Sequence, residues 1–371
     1  MKKILFHFQQ VGGANALLPL IEHLKSEYDI IITGRKLVLK NLKKRRIRVY
    51  TYSEVGWTEK NDSEWLKKSS PDIVITDSIN LIRTSDGIAC RNFWLFSKKF
   101  NIPCIAYVDC WWGYQERFIL PGEVEASILP DCIAMIDENA ARDMLRNGFI
   151  SKKVSVTGCP RFEYLYKKAS SDKRNQFFFK QIKGLQQDKF VILFVSQPVE
   201  KAFGNEKKWG FTEKTTLSAI LRIIMKFSQK IKNSLSFVIL LHPEDEEAKL
   251  RKIVKEQSKN INVIFRKDNS PELLLASDLV IGMFSILLAE AVIMKRPVLS
   301  IQINRKREEI LITNTIGATL SIDNYDSIFD TLYRSITSIK YRTFLLKKQQ
   351  KFKIINDSIN RWKILIEELI K

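Results

Sequence analysis

The sequence predicts an α/β protein of two doubly wound domains, and three observations carry that prediction. Short runs rich in Ile and Val recur along the chain, most followed by a polar or glycine-containing turn and then by a helix-length stretch. These runs are continuously apolar instead of alternating, the pattern of strands buried on both faces of a parallel sheet. The rhythm breaks once, over the polar and basic residues 165–187, and then restarts. A length of 371 residues fits two domains of roughly 100–200 residues each.

In the first half the expected strands are Ile4–Phe8, Asp29–Thr33, Ile47–Tyr52, Asp72–Thr76, Pro103–Val108, Cys132–Ile136 and Val154–Val156. Helical patterns over Ala14–Lys25, Gly87–Phe100 and Glu138–Asn147 separate them, the last stopped by Gly148. Residues 165–187 suit a linker or a surface helix. Beyond it, strands are expected at Phe190–Val195, Phe237–Leu241, Asn262–Phe265, Leu279–Ile281 and Pro297–Ile301. Helices are expected at Thr212–Lys230, Glu244–Gln257, Pro271–Ala276 and Ile286–Lys295. The tail from Tyr341 to Lys371 places apolar residues at helical spacing among lysines and reads as one long amphipathic helix. The expected division is therefore a first domain over 1–164, a linker over 165–187, a second domain over 188–340 and a helical tail over 341–371.

Hydrophobic residues make up 45% and charged residues 27%, which excludes a disordered, collagen-like or disulfide-scaffold protein. A formal net charge of +20 implies attraction to an anionic partner such as a nucleotide, nucleic acid or lipid headgroups. No aromatic-basic recognition motif accompanies that charge, so nucleic acid is not the expected partner. The five cysteines, Cys90, Cys104, Cys110, Cys132 and Cys159, contain no CxxC pair and read as reduced thiols in a reducing compartment. The opening apolar stretch Ile4–Phe8 is short and runs into Gln9-Gln10 without a cleavage site, unlike a signal peptide. No apolar run approaches the roughly 18–20 residues of a bilayer span, so the expectation is a cytoplasmic protein, peripheral at most to a membrane. The densest basic stretch, Arg35, Lys36, Lys40, Lys43, Lys44, Arg45, Arg46 and Arg48, reads either as a solvated face or as a contact for an anionic membrane surface or lipid phosphate.

Ligands of open α/β sheets bind beyond the carboxyl ends of the strands, so the residues just after each apolar run are the candidates for chemistry. After the first run come Gly12, Gly13 and Asn15, where paired glycines admit a ligand close to the backbone and a helix offers free N–H groups, or simply make a tight turn. Asp77 and Asp109 end two later runs; either is a candidate general base for an acceptor hydroxyl, and each also suits a turn or cap. Trp111 and Trp112 follow Asp109 and offer faces for stacking on a sugar or base, or pack a domain edge. In the second half, Ser196 and Gln197 follow one run and His242-Pro243 another, where an imidazole can hydrogen-bond phosphate or ribose. The acidic run Glu244-Asp245-Glu246-Glu247 reads as first-turn complement to a helix dipole. Phe284 and Ser285 lead into a helix carrying Glu290, so Ser285 and helix N–H groups suit a phosphate, and Glu290 a ribose diol; Ser285 also suits a plain N-cap. There is no Asp-x-Asp, Walker-type loop, HExxH or Cys/His cluster at metal spacing, so no metal or other cofactor is expected.

Val11-Gly12-Gly13, the Val156-Thr157-Gly158-Cys159-Pro160 segment, and the stretch from Ala276 through Gly282 and Glu290-Ala291 to Arg296-Pro297-Val298 together resemble the GT-B superfamily over nearly the whole chain. That resemblance implies two Rossmann-like domains facing a central cleft, with a C-terminal helix that returns to the first. It also implies a nucleotide-sugar donor on the second domain, with Glu290 on ribose and the Ser285 loop on phosphate, and a glycan or lipid-linked acceptor on the first. His242-Pro243 with downstream Ser285 is similar to motifs that bacterial sialyltransferases and related capsule enzymes use for a CMP-activated sugar. The acidic pair before glycine that carries their catalytic carboxylate has no counterpart in the first domain. Asp77 and Asp109 fall where UDP-N-acetylglucosamine 2-epimerases have acidic residues, but His242 precedes Pro rather than Arg, and Phe284-Ser285-Ile286 replaces Ser-Gly-Gly. The expected function is a metal-independent, inverting glycosyltransferase of surface-glycan synthesis, with a CMP-nonulosonate donor ahead of a UDP-hexosamine. A UDP-sugar 2-epimerase and a non-catalytic binder of nucleotide sugars or anionic polymers are the alternatives.

Overall fold

A computed structural model of the chain describes residues 1–43, 59–81, 85–172, 174–258, 261–268 and 270–371. The chain divides into two compact units, unit 1 made of Met1–Tyr164 with Ile354–Lys371, and unit 2 of Leu165–Lys353. Unit 1 holds strands β1 (Lys3–Phe8), β2 (Asp29–Gly34), β3 (Ile73–Asp77), β4 (Cys104–Val108), β5 (Cys132–Met135) and β6 (Val154–Val156). They form one parallel sheet in the order β2-β1-β3-β4-β5-β6. Unit 2 holds β7 (Phe190–Val195), β8 (Leu235–Leu240), β9 (Asn262–Arg266), β10 (Leu279–Gly282), β11 (Val298–Ile301) and β12 (Leu320–Ile322), parallel in the order β12-β11-β10-β7-β8-β9. Every residue of β3, β4, β5, β8, β10 and β11 is buried, as continuous apolar runs require when helices cover both faces.

Local differences from the sequence reading have physical causes. The first helix spans Val11–Leu24, so Gly12 and Gly13 lie in its first turn and not in a loop before it. Of the two readings of residues 165–187, linker or surface helix, the segment is largely helical: helices Pro160–Ser171 and Gln176–Ile182 occupy most of it, the second capped by the Asn175 side chain. Lys180 ties that helix down, its ammonium 2.8 Å from Asp278 and donating to the Lys189 carbonyl. The tail is two helices, Ile339–Gln349 in unit 2 and Ser358–Ile370 in unit 1. Gln349 donates to the Arg296 carbonyl at one end of the break, and Glu163 accepts the Ile359 N–H at the other, so contacts in two different units interrupt the periodic pattern. The helix expected at Thr212–Lys230 is likewise split into Glu213–Met225 and Gln229–Asn233. The three-residue strand β12 and the helix Asp326–Thr337 were not anticipated. The strand expected at Ile47–Tyr52, with Lys44, Arg45, Arg46 and Arg48 of the basic stretch, lies outside the described residues. Among the described residues no helix is long and apolar enough to cross a membrane.

The Ser358–Ile370 helix is built into unit 1. Trp362 is fully buried edge-on to Tyr107, their ring centroids 5.4 Å apart. Gly158 makes the approach possible: at φ +78° its missing Cβ would lie 2.9 Å from Ile355 Cβ and 3.1 Å from Ser358 Cβ. Gly148 has φ +89° with open space around it and so shares the backbone conformation without the contact. In urea denaturation Gly158→Ala is expected to lose about 2 kcal/mol more than Gly148→Ala. Equal losses would show that the tail helix does not press on Gly158.

Candidate functional site

At the carboxyl edge of the unit 1 sheet, β1, β3 and β4 bring Asp77, Asp109 and the glycine turn together. Asp77 is buried and accepts the backbone N–H groups of Gln9, at 3.0 and 3.1 Å, and Gln10, at 2.8 Å. The Cys90 thiol lies 3.4 Å from its Oδ1. A Cβ on Gly13 would stand 2.6 Å from Asp77 Cβ, so Gly13 is small because the carboxylate arm passes there, and not to admit a ligand. Gly12 is exposed, and its α-carbon faces Asp109, whose Oδ2 would be 3.6 Å from a Cβ at that position. Asn15 is half-buried one turn further along. Burial pushes the Asp77 carboxyl up to about 7 against the pull of its two amide donors, with Asp109 adding to the rise. Burial also raises Asp109, but Arg117 opposes it.

Arg117 escaped the sequence reading. It is buried in the short helix Tyr114–Phe118, donates to the Ser78 carbonyl, and lies 5.8 Å from the centre of the Trp112 ring. The two tryptophans are therefore not a bare stacking platform. The Trp111 indole N–H donates to Asp137 Oδ2 at 2.6 Å and its ring stacks on Phe162, while Trp112 covers the guanidinium. Asp137 in turn caps the Glu138–Arg146 helix through the Ala140 N–H.

In unit 2 a row of polar side chains links neighbouring strand ends. Gln302, after β11, donates to the Met283 carbonyl after β10, with Ser300 donating to the same oxygen. Gln302 is held by Glu309, which also accepts from Arg305, Asn314 and the Leu311 N–H. The Phe284 N–H donates to Gln197 Oε1 after β7, at 3.0 Å. Ser196, buried beside Gln197, has its hydroxyl next to Asp245, which accepts the His242 N–H after β8 at 2.8 Å. Burial pushes the Asp245 carboxyl up to about 6, against the pull of the nearby Ser196 hydroxyl and the His242 N–H.

His242 is exposed, followed by exposed Pro243, and its Nδ1 accepts the Glu244 N–H at 3.2 Å. Desolvation holds the imidazole below its ordinary value, Glu244 opposing. With Nδ1 an acceptor, the neutral ring carries its proton on Nε2, so it is a hydrogen-bond donor at neutral pH. The helix expected from Glu244 begins instead at Glu247, and Asp245 closes the preceding turn rather than complementing a dipole. Ser285 caps the helix Ile286–Ile293 by accepting the Leu287 N–H. Phe284 turns its ring into a cluster with Phe203, Trp209 and Phe211, centroids 5.5–6.0 Å away, so only its backbone belongs to the edge. Glu290 is buried on the Ile286–Ile293 helix.

The chain is similar to several known proteins. The family model of the CDP-glycerol:poly(glycerophosphate) glycerophosphotransferases matches residues 135–307. No curated protein matches the chain. Among solved structures, UDP-GlcNAc 2-epimerase from Neisseria meningitidis bound to UDP-GlcNAc is 19% identical with a TM-score of 0.70, covering 99% of both chains. The S. aureus MnaA-UDP complex is 17% identical with a TM-score of 0.69, covering 99% of this chain and 96% of that one. Anabaena Alr3699/HepE in complex with UDP and glucose is 12% identical with a TM-score of 0.66, covering 100% and 99%. The chain has the GT-B fold, two parallel six-stranded sheets each with surrounding helices.

The raised Asp77 pKa has a direct consequence. The folded carboxyl binds its proton up to about pH 7 and the unfolded one only to about 3.8, so this group's contribution to stability falls as pH rises between those values. Relative to wild type, Asp77→Asn is expected to gain stability from about pH 4 to pH 7, by at most about 1.4 kcal/mol per pH unit. A wild-type-to-variant difference independent of pH in denaturant titrations would contradict this.

Proposed function

We propose that the protein is a glycosyl- or glycerophosphotransferase that moves its group from a cytidine-nucleotide donor to the hydroxyl of a surface-glycan or lipid-linked acceptor. The observation that carries this reading is His242, a neutral imidazole with Nδ1 tied to its own turn and an Nε2–H donor at the β8 edge. A departing nucleotide needs such a donor where its phosphate gathers negative charge. Ser285 and the amino end of the Ile286–Ile293 helix offer further donors on the next-but-one strand end, and Glu290 is the candidate for the ribose diol. Gln197 ties the ends of β7 and β10 together by accepting the Phe284 N–H, with Ser196 beside it. A CMP-activated nonulosonate and CDP-glycerol share one leaving group: transfer from either breaks its bond to a phosphate oxygen and releases CMP. The likeness to the glycerophosphotransferase model and the His-Pro and serine motifs therefore favour the same nucleotide half.

Asp109 is the proposed base, taking the proton of the acceptor hydroxyl as the oxygen attacks. Asp77 is committed to two backbone amides and is the poorer choice. Gly12, Asn15 and Trp112 are proposed to border the acceptor. The UDP-bound structural neighbours support a second reading, a UDP-hexosamine transferase or a 2-epimerase. The epimerase would convert a UDP-sugar with no acceptor present.

Metal-free calorimetric titration with CMP, CDP, UDP and GDP decides between them. CMP is expected to bind at least about tenfold tighter than UDP, and His242→Ala to weaken CMP by about tenfold or more, some 1.4 kcal/mol. Asp109→Asn is expected to leave CMP affinity intact while lowering turnover by about 10² or more. UDP-selective binding, or C2 epimerisation of a UDP-sugar alone, would overturn the reading. The base must be ionised, so kcat/KM should fall as pH drops through the raised pKa of Asp109. Arg117→Met, which removes the opposing charge, should move that limb to higher pH. An unmoved limb would exclude Asp109 as the base.

A further inference from the structure

Unit 2 carries a surface unrelated to the proposed transfer chemistry. Of the fifteen large hydrophobic side chains exposed among the described residues, five fall between residues 325 and 344: Tyr325, Phe329, Tyr333, Ile339 and Phe344. Tyr325, Phe329 and Tyr333 recur every fourth residue at the start of and along the Asp326–Thr337 helix, each about 40% exposed, and so line one face. Phe329 and Tyr333 stack with centroids 6.1 Å apart over Phe227. Ser338 alone joins this helix to Ile339–Gln349, where Ile339 is 74% and Phe344 49% exposed. Arg334 lies over Tyr341 at 4.4 Å, and Tyr341 packs on Phe344 at 5.7 Å, so the aromatic surface continues from one helix to the next.

The charge around these rings is one-sided. Residues 326–353 contain seven Lys and Arg against two Asp; Arg334 pairs with Asp330 and Arg342 donates to the Ser335 and Ile336 carbonyls, and the other five are lysines. Half-exposed aromatics amid long cationic side chains suit neither a protein core nor bulk water. They suit the headgroup layer of a bilayer, where rings sit at the polar boundary and Lys and Arg meet anionic phosphates.

We propose that the helices Asp326–Thr337 and Ile339–Gln349 form a docking surface for an anionic phospholipid bilayer. This goes beyond the transfer reaction and does not depend on it. The full chain is tested by co-sedimentation with phosphatidylcholine vesicles and with vesicles in which about a third of the lipid is phosphatidylglycerol. Binding to the anionic vesicles is expected to be at least about tenfold tighter and to weaken in high salt. The double variants Phe329→Ser/Tyr333→Ser and Lys340→Glu/Lys347→Glu should each weaken it about tenfold or more. Phe177→Ser, a still more exposed ring on another helix, should not. All four side chains changed in the double variants are exposed, and thermal melts verify folding; the charge variant stands if the aromatic one fails to fold. CMP titration of the same variants should be unchanged, which keeps this surface separate from the nucleotide half-site. No binding to either vesicle overturns the proposal. So does anionic binding that both double variants retain, which would assign it to another surface, or a dimer in solution that Phe329→Ser/Tyr333→Ser dissolves without affecting vesicles.

Discussion

Backbone polar groups at the carboxyl edge of a parallel sheet have no ladder partner and must find one among side chains from neighbouring strand ends. Both units meet this constraint in the same way. Asp77 accepts two consecutive amides across the gap between β3 and β1, and Gln197 accepts the Phe284 amide across the gap between β7 and β10. Asp245 closes the turn after β8, and Ser300 with Gln302 satisfies the Met283 carbonyl after β10. These side chains fix the loops on which the candidate chemistry stands, and the rest of each edge takes its shape from them.

The same constraint separates two carboxylates that look alike. Asp77 and Asp109 end adjacent strands, and burial raises both. One is saturated by backbone donors and carries a structural load. The other faces an exposed glycine and a buried guanidinium and keeps an oxygen toward the helix terminus. Burial raises both carboxyl groups, but backbone amides oppose the rise at Asp77 and the Arg117 guanidinium opposes it at Asp109, so different partners hold the charge of each.

Much of this was legible in the chain, for definite reasons. Strands buried in a parallel sheet are mostly apolar, so eleven of the twelve strands among the described residues were readable from apolar runs; β12 was missed although β6, equally short and also with a central serine, was read. Strand ends follow from strands, and Asp77, Asp109, Ser196 and His242 were placed at the edges where they stand. What escaped depends on contacts distant in sequence. Arg117 lies in a five-residue helix that no periodicity announces. Asp245 is hidden in a run of four acids whose composition suggests a helix start. Nothing local says that Phe284 turns inward to three aromatic rings, or that the tail divides between units at a point without proline or glycine.

The division of the tail also sets an order of assembly. Unit 2 is one uninterrupted stretch, residues 165–353, and all its strands are present once that stretch exists. Unit 1 is not: its first 164 residues include a fully buried Tyr107 whose aromatic partner, Trp362, comes almost 200 residues after that segment closes. During synthesis the amino-terminal sheet therefore waits, with its Gly158 groove uncovered, until residues 354–371 leave the ribosome. Of these two units, the one whose residues begin earlier in the chain is therefore the later to be completed.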